Sequence, residues 1–221
     1  MKKINVAIDG PSGAGKSIVA LALAKKFKLT HINSGAMYRC VALLAKRHNI
    51  DINNETELLD LASKMIFDCD YNQNIFCNSE NVTKIIRHED ISMLASHISK
   101  FASVRCLLVD LQREMAKSKN CIMEGRDITT VVLSDAEVKI YLTADVSIRA
   151  QRRYLELLAK EISSNYDDVL KDLVCRDYND KNRDVSPLMI ADDAIIVDSS
   201  YMSIDEVVNV ISKYILKAME D

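Results

Sequence analysis

The sequence feature that most constrains the fold is the stretch Gly10–Ser17, GPSGAGKS, which fits the pattern G-x-x-x-x-G-K-[ST]. In such a loop the glycines let the backbone approach a phosphate, and successive N–H groups at a helix N-terminus form an anion site. Lys16 would reach the β- and γ-phosphates of ATP, and the Ser17 hydroxyl would contact Mg²⁺. The residues expected to bind ATP here are Gly10, Pro11, Ser12, Gly13, Ala14, Gly15, Lys16 and Ser17.

The residues on either side of the loop supply the setting that such a loop requires. Residues 4–8 are mostly apolar and rich in β-branched side chains, and residues 17–28 carry apolar side chains at near-helical spacing. Strand, loop and helix in this order favour a phosphate-binding loop over a glycine-rich turn that merely links two elements.

Composition limits the class of protein. With 221 residues, 48% of them hydrophobic, the chain is expected to form one sizeable α/β domain, with or without a small insert. A net charge of −3 argues against general binding to nucleic acid or to anionic membranes. The N-terminus has no signal-peptide pattern and no apolar run is long enough to span a bilayer, so we expect a cytoplasmic protein. The six cysteines show no C-x-x-C spacing and no histidine cluster, so we expect small buried thiols rather than zinc ligands.

Five short apolar runs alternate with helical patterns along the chain. They predict a doubly wound, five-stranded parallel sheet with helices on both faces. The runs lie near residues 4–8, 30–32, 121–123, 138–142 and 194–197. Between residues 66 and 86, β-like runs that include 82–86 are separated by turn residues such as Asn72-Gln73-Asn74, which predicts a small antiparallel insert.

Polar segments follow four of the predicted strands directly. Besides the phosphate loop they are residues 33–39, 124–127 and 198–200, and ligands of parallel sheets bind at the carboxyl ends of the strands. In the first of these segments we expect Ser34 to cap a helix that begins near Ala36. Arg39 would then lie in the first helical turn, where the helix dipole disfavours a cation unless an anion is bound. A solvated arginine is the simpler interpretation of Arg39 alone.

Arginines are the candidate groups for holding a second phosphate. A planar guanidinium binds phosphate in bidentate fashion, and transfer to a phosphate needs positioning and charge neutralisation rather than a strong base. Taken singly, each arginine is more often a surface ion pair. Those in expected loops or helix starts are Arg39, Arg105, Arg126, Arg176 and Arg183, the last in a charged segment, residues 179–184, that we expect to be a loop. Arg149, Arg152 and Arg153 lie on a helical segment expected to be mobile.

Five further segments make the pattern more specific than the loop alone. They are SGAMYR (34–39), GRD (125–127), VKIYL (138–142), RDYNDKNR (176–183) and SPL (186–188), and IDGPSGAGKS (8–17) precedes them. Together they resemble the bacterial cytidylate kinases of the nucleoside monophosphate kinase superfamily, over nearly the whole chain. The resemblance implies a monomeric enzyme that uses ATP and Mg²⁺ to phosphorylate CMP and dCMP.

The resemblance also implies an organisation into one kinase unit with three parts. The core would comprise about residues 1–40, 101–148 and 184–221, the insert that binds the monophosphate about 41–100, and a short helical lid about 149–183. Closure of the lid over ATP would exclude water from the site.

Matching positions carry the roles of the family's site residues. The catalytic set would be Lys16, Arg126, Arg153 and Arg183, and the ATP site would also include Ile18 and Arg149. CMP would be bound by Ser34; its phosphate by Arg39, Arg126 and Arg183; its cytosine by Ser96, Arg105 and Asp127; and its sugar by Arg176 and Asp180. The chain departs from the family at three positions: Asn33, Thr129 and Ile18 stand where Asp, Gly and often Thr are usual.

Two other functions remain open at this point. A kinase of another small acceptor, such as a different nucleoside monophosphate or shikimate, would share the loop, although the GRD and DKNR segments weigh against it. A non-catalytic nucleotide-binding regulator would need a switch loop and a base-specifying motif such as N-K-x-D, which Asp180-Lys181-Asn182 does not match.

Overall fold

The computed structural model describes residues 2–70, 74–118 and 120–220. The chain divides into two compact units: a first unit of Met1–Leu29 with Lys119–Asp221, and a second unit of Thr30–Ser118. Within the part of the chain that the structure describes, no helix has the length and apolar character needed to cross a membrane. The predicted limits of core, insert and lid remain predictions.

Eight strands and eight helices are found among the described residues. In chain order they are β1 (Asn5–Asp9), α1 (Lys16–Phe27), β2 (Thr30–Asn33), α2 (Ser34–Arg47), α3 (Glu55–Ser63), β3 (Phe67–Cys69), β4 (Ile75–Cys77), β5 (Glu80–Asn81), α4 (Glu89–Ile98), α5 (Ala102–Ala116), β6 (Cys121–Glu124), β7 (Val138–Thr143), α6 (Val146–Ala159), α7 (Tyr166–Asn182), β8 (Ile195–Asp198) and α8 (Ile204–Glu220). A 3₁₀ turn at Ile85–Arg87 precedes α4, and a π-helical turn at Ile128–Val132 follows β6.

Two sheets organise these strands. One has five strands in the order β2-β6-β1-β7-β8, and the other has three in the order β3-β4-β5. The registers of β1 with β6, β1 with β7 and β7 with β8 are parallel, whereas those of the small sheet are antiparallel. The predicted five-stranded parallel sheet and antiparallel insert are therefore confirmed.

Burial of the central strand explains why its sequence is a continuous apolar run. All five residues of β1 are buried, as expected for a parallel strand covered on both faces. On one face Ile8 belongs to a core shared with Leu23 of α1 and Ile211 of α8. At the start of α8 the Ser203 amide donates to Glu206 Oε2 over 2.8 Å, and the Glu206 amide donates to Ser203 Oγ over 3.3 Å. This is the capping box that the sequence predicts.

The start of α2 differs from the prediction. Ser34 is the first residue of the helix, and the cap is Asn33, whose side-chain oxygen accepts a hydrogen bond from the Ala36 amide over 3.0 Å. Asn is as good a cap as Ser, and here it stands where the strand ends. Arg39 therefore lies in the second turn, where the helix dipole no longer argues for an anion.

Other local predictions were also wrong. The segment 179–184 was predicted as a loop, but α7 continues through it to Asn182. The acidic residues in the first turn of α7 and Lys181 in its last turn interact favourably with the helix dipole. Residues 82–86 are not a strand, since β5 ends at Asn81. The predicted turn at 72–74 falls largely outside the described residues. Of the six cysteines, Cys106 and Cys175 are exposed rather than buried.

Candidate active site

The phosphate loop connects β1 to α1 as the sequence predicts. Gly10 follows the strand with φ +146°, and a Cβ at this position would lie 1.9 Å from the carbonyl oxygen of Leu142. No side chain fits so close to the backbone of β7. Gly15 caps α1 in the left-handed region, with φ 89°, which glycine adopts at no steric cost.

Lys16 is held inside this loop. Its ammonium donates to the carbonyl oxygens of Gly10 and Pro11, each over 2.7 Å. Burial lowers the pKa of Lys16 to about 7, and the positive charge of Arg126 acts in the same direction, while nearby carboxylates oppose the shift. The lysine therefore lies near its titration point at neutral pH, so bound anions would strongly change its charge.

Ser17 and Glu124 form a neighbouring pair of oxygen-bearing side chains. The Ser17 hydroxyl donates to Glu124 Oε2 over 2.8 Å, and Glu124, at the end of β6, is 3% exposed. Sequence reasoning placed residues 124–127 at the ligand-binding edge but assigned Glu124 no role. The usable signal was a carboxylate that closes a buried strand beside a phosphate loop. Hydroxyl and carboxylate oxygens are ligands that Mg²⁺ prefers.

Two ion pairs join α7 to the segment after β6. Arg126 Nε donates to Asp180 Oδ2 over 2.7 Å, and Arg183 Nη2 lies 3.8 Å from Asp127 Oδ1. Burial by itself lowers the pKa of Arg126, but Asp180 and other carboxylates raise it above its usual value. Arg176 lies one turn before Asp180 on α7. The structure thus brings together the five predicted CMP-site residues of the first unit.

The arginines of α6 have different surroundings. Arg149 is 5% exposed; its Nη1 donates to the carbonyl of Ser12 in the phosphate loop over 3.0 Å, and its Nη2 lies 2.7 Å from Asp177 Oδ2. Arg152 donates to the Ser199 carbonyl over 2.6 Å. Arg149 therefore supports the backbone of the loop, and Asp177, which sequence reasoning missed, holds Arg149.

The remaining predicted residues on the ATP side are more exposed than Arg149. Arg153 pairs with Glu156 of the same helix over 2.9 Å, and Ile18, in the first turn of α1, is 49% exposed. The structure thus places Ile18 directly after the loop, and it leaves Arg153 half-buried on α6.

Four predicted residues belong to the second unit. Ser34 is buried at the start of α2, and Arg39 is half-buried. Arg105 is 2% exposed and donates to the Ser99 carbonyl over 3.1 Å, while the Ser99 hydroxyl donates to the Ser96 carbonyl over 2.8 Å. Ser99 thereby links Ser96 to Arg105, the two residues of this unit that are predicted to contact cytosine.

Comparisons with known proteins match nearly the whole chain. A family model described as cytidylate kinase matches residues 6–217. A cytidylate kinase of Clostridium acetobutylicum is 48% identical over 215 residues, covering 97% of this chain and 99% of the relative. Another, from Caldicellulosiruptor bescii, is 44% identical over 224 residues and covers 100% and 99% of the two chains.

A solved structure shares the fold at low sequence identity. An uncharacterized protein from Eubacterium ventriosum superposes with a TM-score of 0.53 at 15% identity, covering 98% of this chain and 99% of that one. The likeness concerns the fold alone, whereas the sequence comparisons extend over the segments that build the site. The chain belongs to the cytidylate kinase family.

Proposed function

We propose that the protein transfers the γ-phosphoryl group of ATP to CMP or dCMP, giving ADP and CDP or dCDP. The observation that carries the proposal is the cluster in the first unit where the phosphate loop, Arg126 and Arg183 come together. The positive charge of Arg126 lowers the pKa of Lys16, which supports an arrangement with a cation of the proposed acceptor site near the lysine of the proposed donor site. Phosphoryl transfer between two phosphates needs this convergence of positive charge.

The donor side would be formed by the loop and its supports. Backbone N–H groups of the loop and the Lys16 ammonium would bind the phosphates, and Arg149 would keep the Ser12 backbone in place. Ser17 and Glu124 would hold Mg²⁺, which supplies charge neutralisation on the phosphate oxygens when bound. The 2.8 Å contact between these two side chains fits such a shared ligand role.

Proton uptake is the expected signature of the buried lysine. At about pH 8 a lysine with a pKa near 7 is mostly neutral, whereas bound phosphates raise its pKa and recharge it. We therefore expect binding of Mg-ATP to take up part of a proton. Calorimetric titration in buffers of different ionisation enthalpy measures this uptake. Lys16→Met should abolish it, and equal binding enthalpies in all buffers for the unmodified protein would contradict the expectation.

The acceptor side would be formed by arginines that now pair with carboxylates. Arg126 and Arg183 would bind the CMP phosphate. An ionised oxygen of this phosphate is the nucleophile, so no strong base is needed. Asp127 would accept a hydrogen bond from the exocyclic amine of cytosine, a donor that uracil lacks. The roles proposed for the other residues follow the family pattern: Arg39 for the phosphate, Ser96 and Arg105 for the base, Arg176 and Asp180 for the sugar, and Ser34 for CMP as a whole.

Several finer features belong to the same proposal. Arg153 would act at the transferring phosphoryl group when the α6–α7 segment closes over ATP and excludes water. The enzyme would be a cytoplasmic monomer that binds neither nucleic acid nor membranes. The net charge of −3 supports the absence of binding to these anionic partners.

Arg183→Ala tests the proposal because it separates acceptor from donor. We expect kcat/KM for CMP to fall by about 10²-fold through the loss of charge-assisted hydrogen bonds, with ATP affinity changed by less than about threefold. Arg113→Ala, at an exposed arginine paired with Asp110 on α5, is the matched control and should behave like the unmodified protein. Full CMP activity in Arg183→Ala would refute the assignment of the acceptor site.

A further inference from the structure

Asp9 is a buried carboxylate to which the proposed mechanism gives no task. It ends β1, directly before the phosphate loop, and it is 0% exposed. Its Oδ1 accepts a hydrogen bond from the Ile128 amide over 2.9 Å. Its Oδ2 accepts two more, from the Thr129 amide and the Thr129 hydroxyl, each over 2.7 Å. Three bonds from two adjacent residues fix this carboxylate and its partners firmly.

The donors identify what Asp9 does to the local fold. Ile128 and Thr129 open the π-helical turn Ile128–Val132, whose cap position is occupied by Asp127. The Asp127 side chain makes no capping hydrogen bond to this turn. Amides at the start of a helical turn need acceptors, and here they obtain them from a neighbouring strand. Asp9 thus replaces Asp127 as the cap of the turn.

The replacement leaves the Asp127 carboxylate directed to other partners. Its Oδ1 lies 3.8 Å from Arg183 Nη2 rather than on the amides of its own turn. A residue of the Asn, Asp, Ser or Thr type at a cap position ordinarily bonds the next amides. Here the Asp9 carboxylate accepts the hydrogen bonds of those amides and thereby fixes the backbone next to Arg126 and Asp127.

We infer that Asp9 and Thr129 are positioning residues for the acceptor site, which cap the turn after β6 so that the Asp127 carboxylate is kept for cytosine. This inference rests on the proposed function. Thr129 is 1% exposed, and its hydroxyl supplies a donor that a glycine at this position cannot. The departure from the family pattern at residue 129 therefore strengthens the hold on Asp127.

Thr129 is the residue to change. In Asp9→Asn the side-chain NH₂ group would face the donors that now bond to the Asp9 carboxylate, and the protein could fail to fold. Thr129→Val keeps the side-chain shape and removes the hydroxyl, and Thr129→Ser keeps the hydroxyl. Loss of one buried hydrogen bond to a carboxylate predicts a fall of about 10-fold in kcat/KM for CMP in the valine variant. The serine variant should stay within about twofold of the unmodified enzyme, and KM for ATP should change by less than about twofold in both.

Base discrimination gives the readout that a purely structural role would not move. In Thr129→Val the Asp127 carboxylate should be held less firmly. The preference for CMP over UMP, measured as the ratio of their kcat/KM values, should therefore fall. Equal ratios in the valine variant and the unmodified enzyme, or equal losses toward CMP and ATP accompanied by a lower unfolding midpoint, would overturn the inference. If the unmodified protein itself fails to phosphorylate CMP, the proposed function fails instead.

Discussion

Lys16→Met will lower kcat by about 10³-fold or more, with the fold retained. The ammonium is the proposed cation of the donor site, and it is held at the loop by hydrogen bonds to the carbonyls of Gly10 and Pro11. Methionine has a similar length and fills the same buried space without a charge. Because burial depresses the pKa of Lys16, removal of the charge relieves a desolvation cost. This gain offsets the loss of the two hydrogen bonds to the Gly10 and Pro11 carbonyls, so we expect only a small change in stability.

Steady-state kinetics and thermal unfolding together check this result. Lys25→Met provides the matched control, since Lys25 is an exposed lysine in the last turn of the same helix. We expect Lys25→Met to have unchanged kinetics. A Lys16→Met enzyme within about tenfold of the normal rate would remove Lys16 from the transfer step.

Arg126→Met will reduce kcat/KM for CMP by about 10³-fold, more than any other single change in the acceptor site. Two losses combine in this variant. The CMP phosphate would lose a cation proposed to bind it. The Asp180 carboxylate, whose side chain is 15% exposed, would lose the Nε–H donor that lies 2.7 Å away. A carboxylate left without its partner carries a desolvation penalty of its own.

A second variant separates these two losses. In Arg126→Met/Asp180→Asn the unpaired charge is gone, so stability should recover while CMP turnover stays low. Arg113→Met is the control for a lost exposed arginine. Near-normal CMP kinetics in Arg126→Met, or recovery of turnover in the double variant, would assign Arg126 a structural role only.

The phosphate loop and the parallel sheet were predictable because their signals are local. The pattern of Gly10–Ser17 is contiguous, the buried strands are unbroken apolar runs, and the capping box at Ser203 spans four residues. Each signal reflects backbone geometry or burial that the residues impose on their own neighbourhood. The basic residues proposed for the acceptor site also lie in short contiguous motifs, and their roles stay predictions.

The contacts that hold the site together were not predictable in this way. Asp9 and Thr129 are 120 residues apart in the chain, and Ser12 and Arg149 are 137 apart. These pairs come together only when the sheet folds, so the local sequence around one residue does not indicate which distant residue it will contact. Asp9 could be noted only as a charge at the end of an apolar run.

Local competition explains the boundary errors. Asn33 and Ser34 are both good helix caps, and the end of β2 decides in favour of Asn33. The polar segment after Tyr178 lacks an apolar stripe and so looks like a loop. In the folded protein Asp180 is held by Arg126 and Leu188 donates a backbone hydrogen bond to the Asp180 carbonyl over 2.7 Å. Tertiary contacts therefore extend α7 beyond the point where its own sequence pattern ends.

The most direct test of the central claim is ADP formation from Mg-ATP with CMP, dCMP, UMP, AMP, GMP and shikimate offered separately. We expect strong turnover with CMP and dCMP and little with the others. Equal efficiency with UMP would keep the phosphate site but overturn the cytosine contacts of Arg105 and Asp127. Preference for a different acceptor, or ATP binding without turnover of any acceptor, would contradict the proposed function.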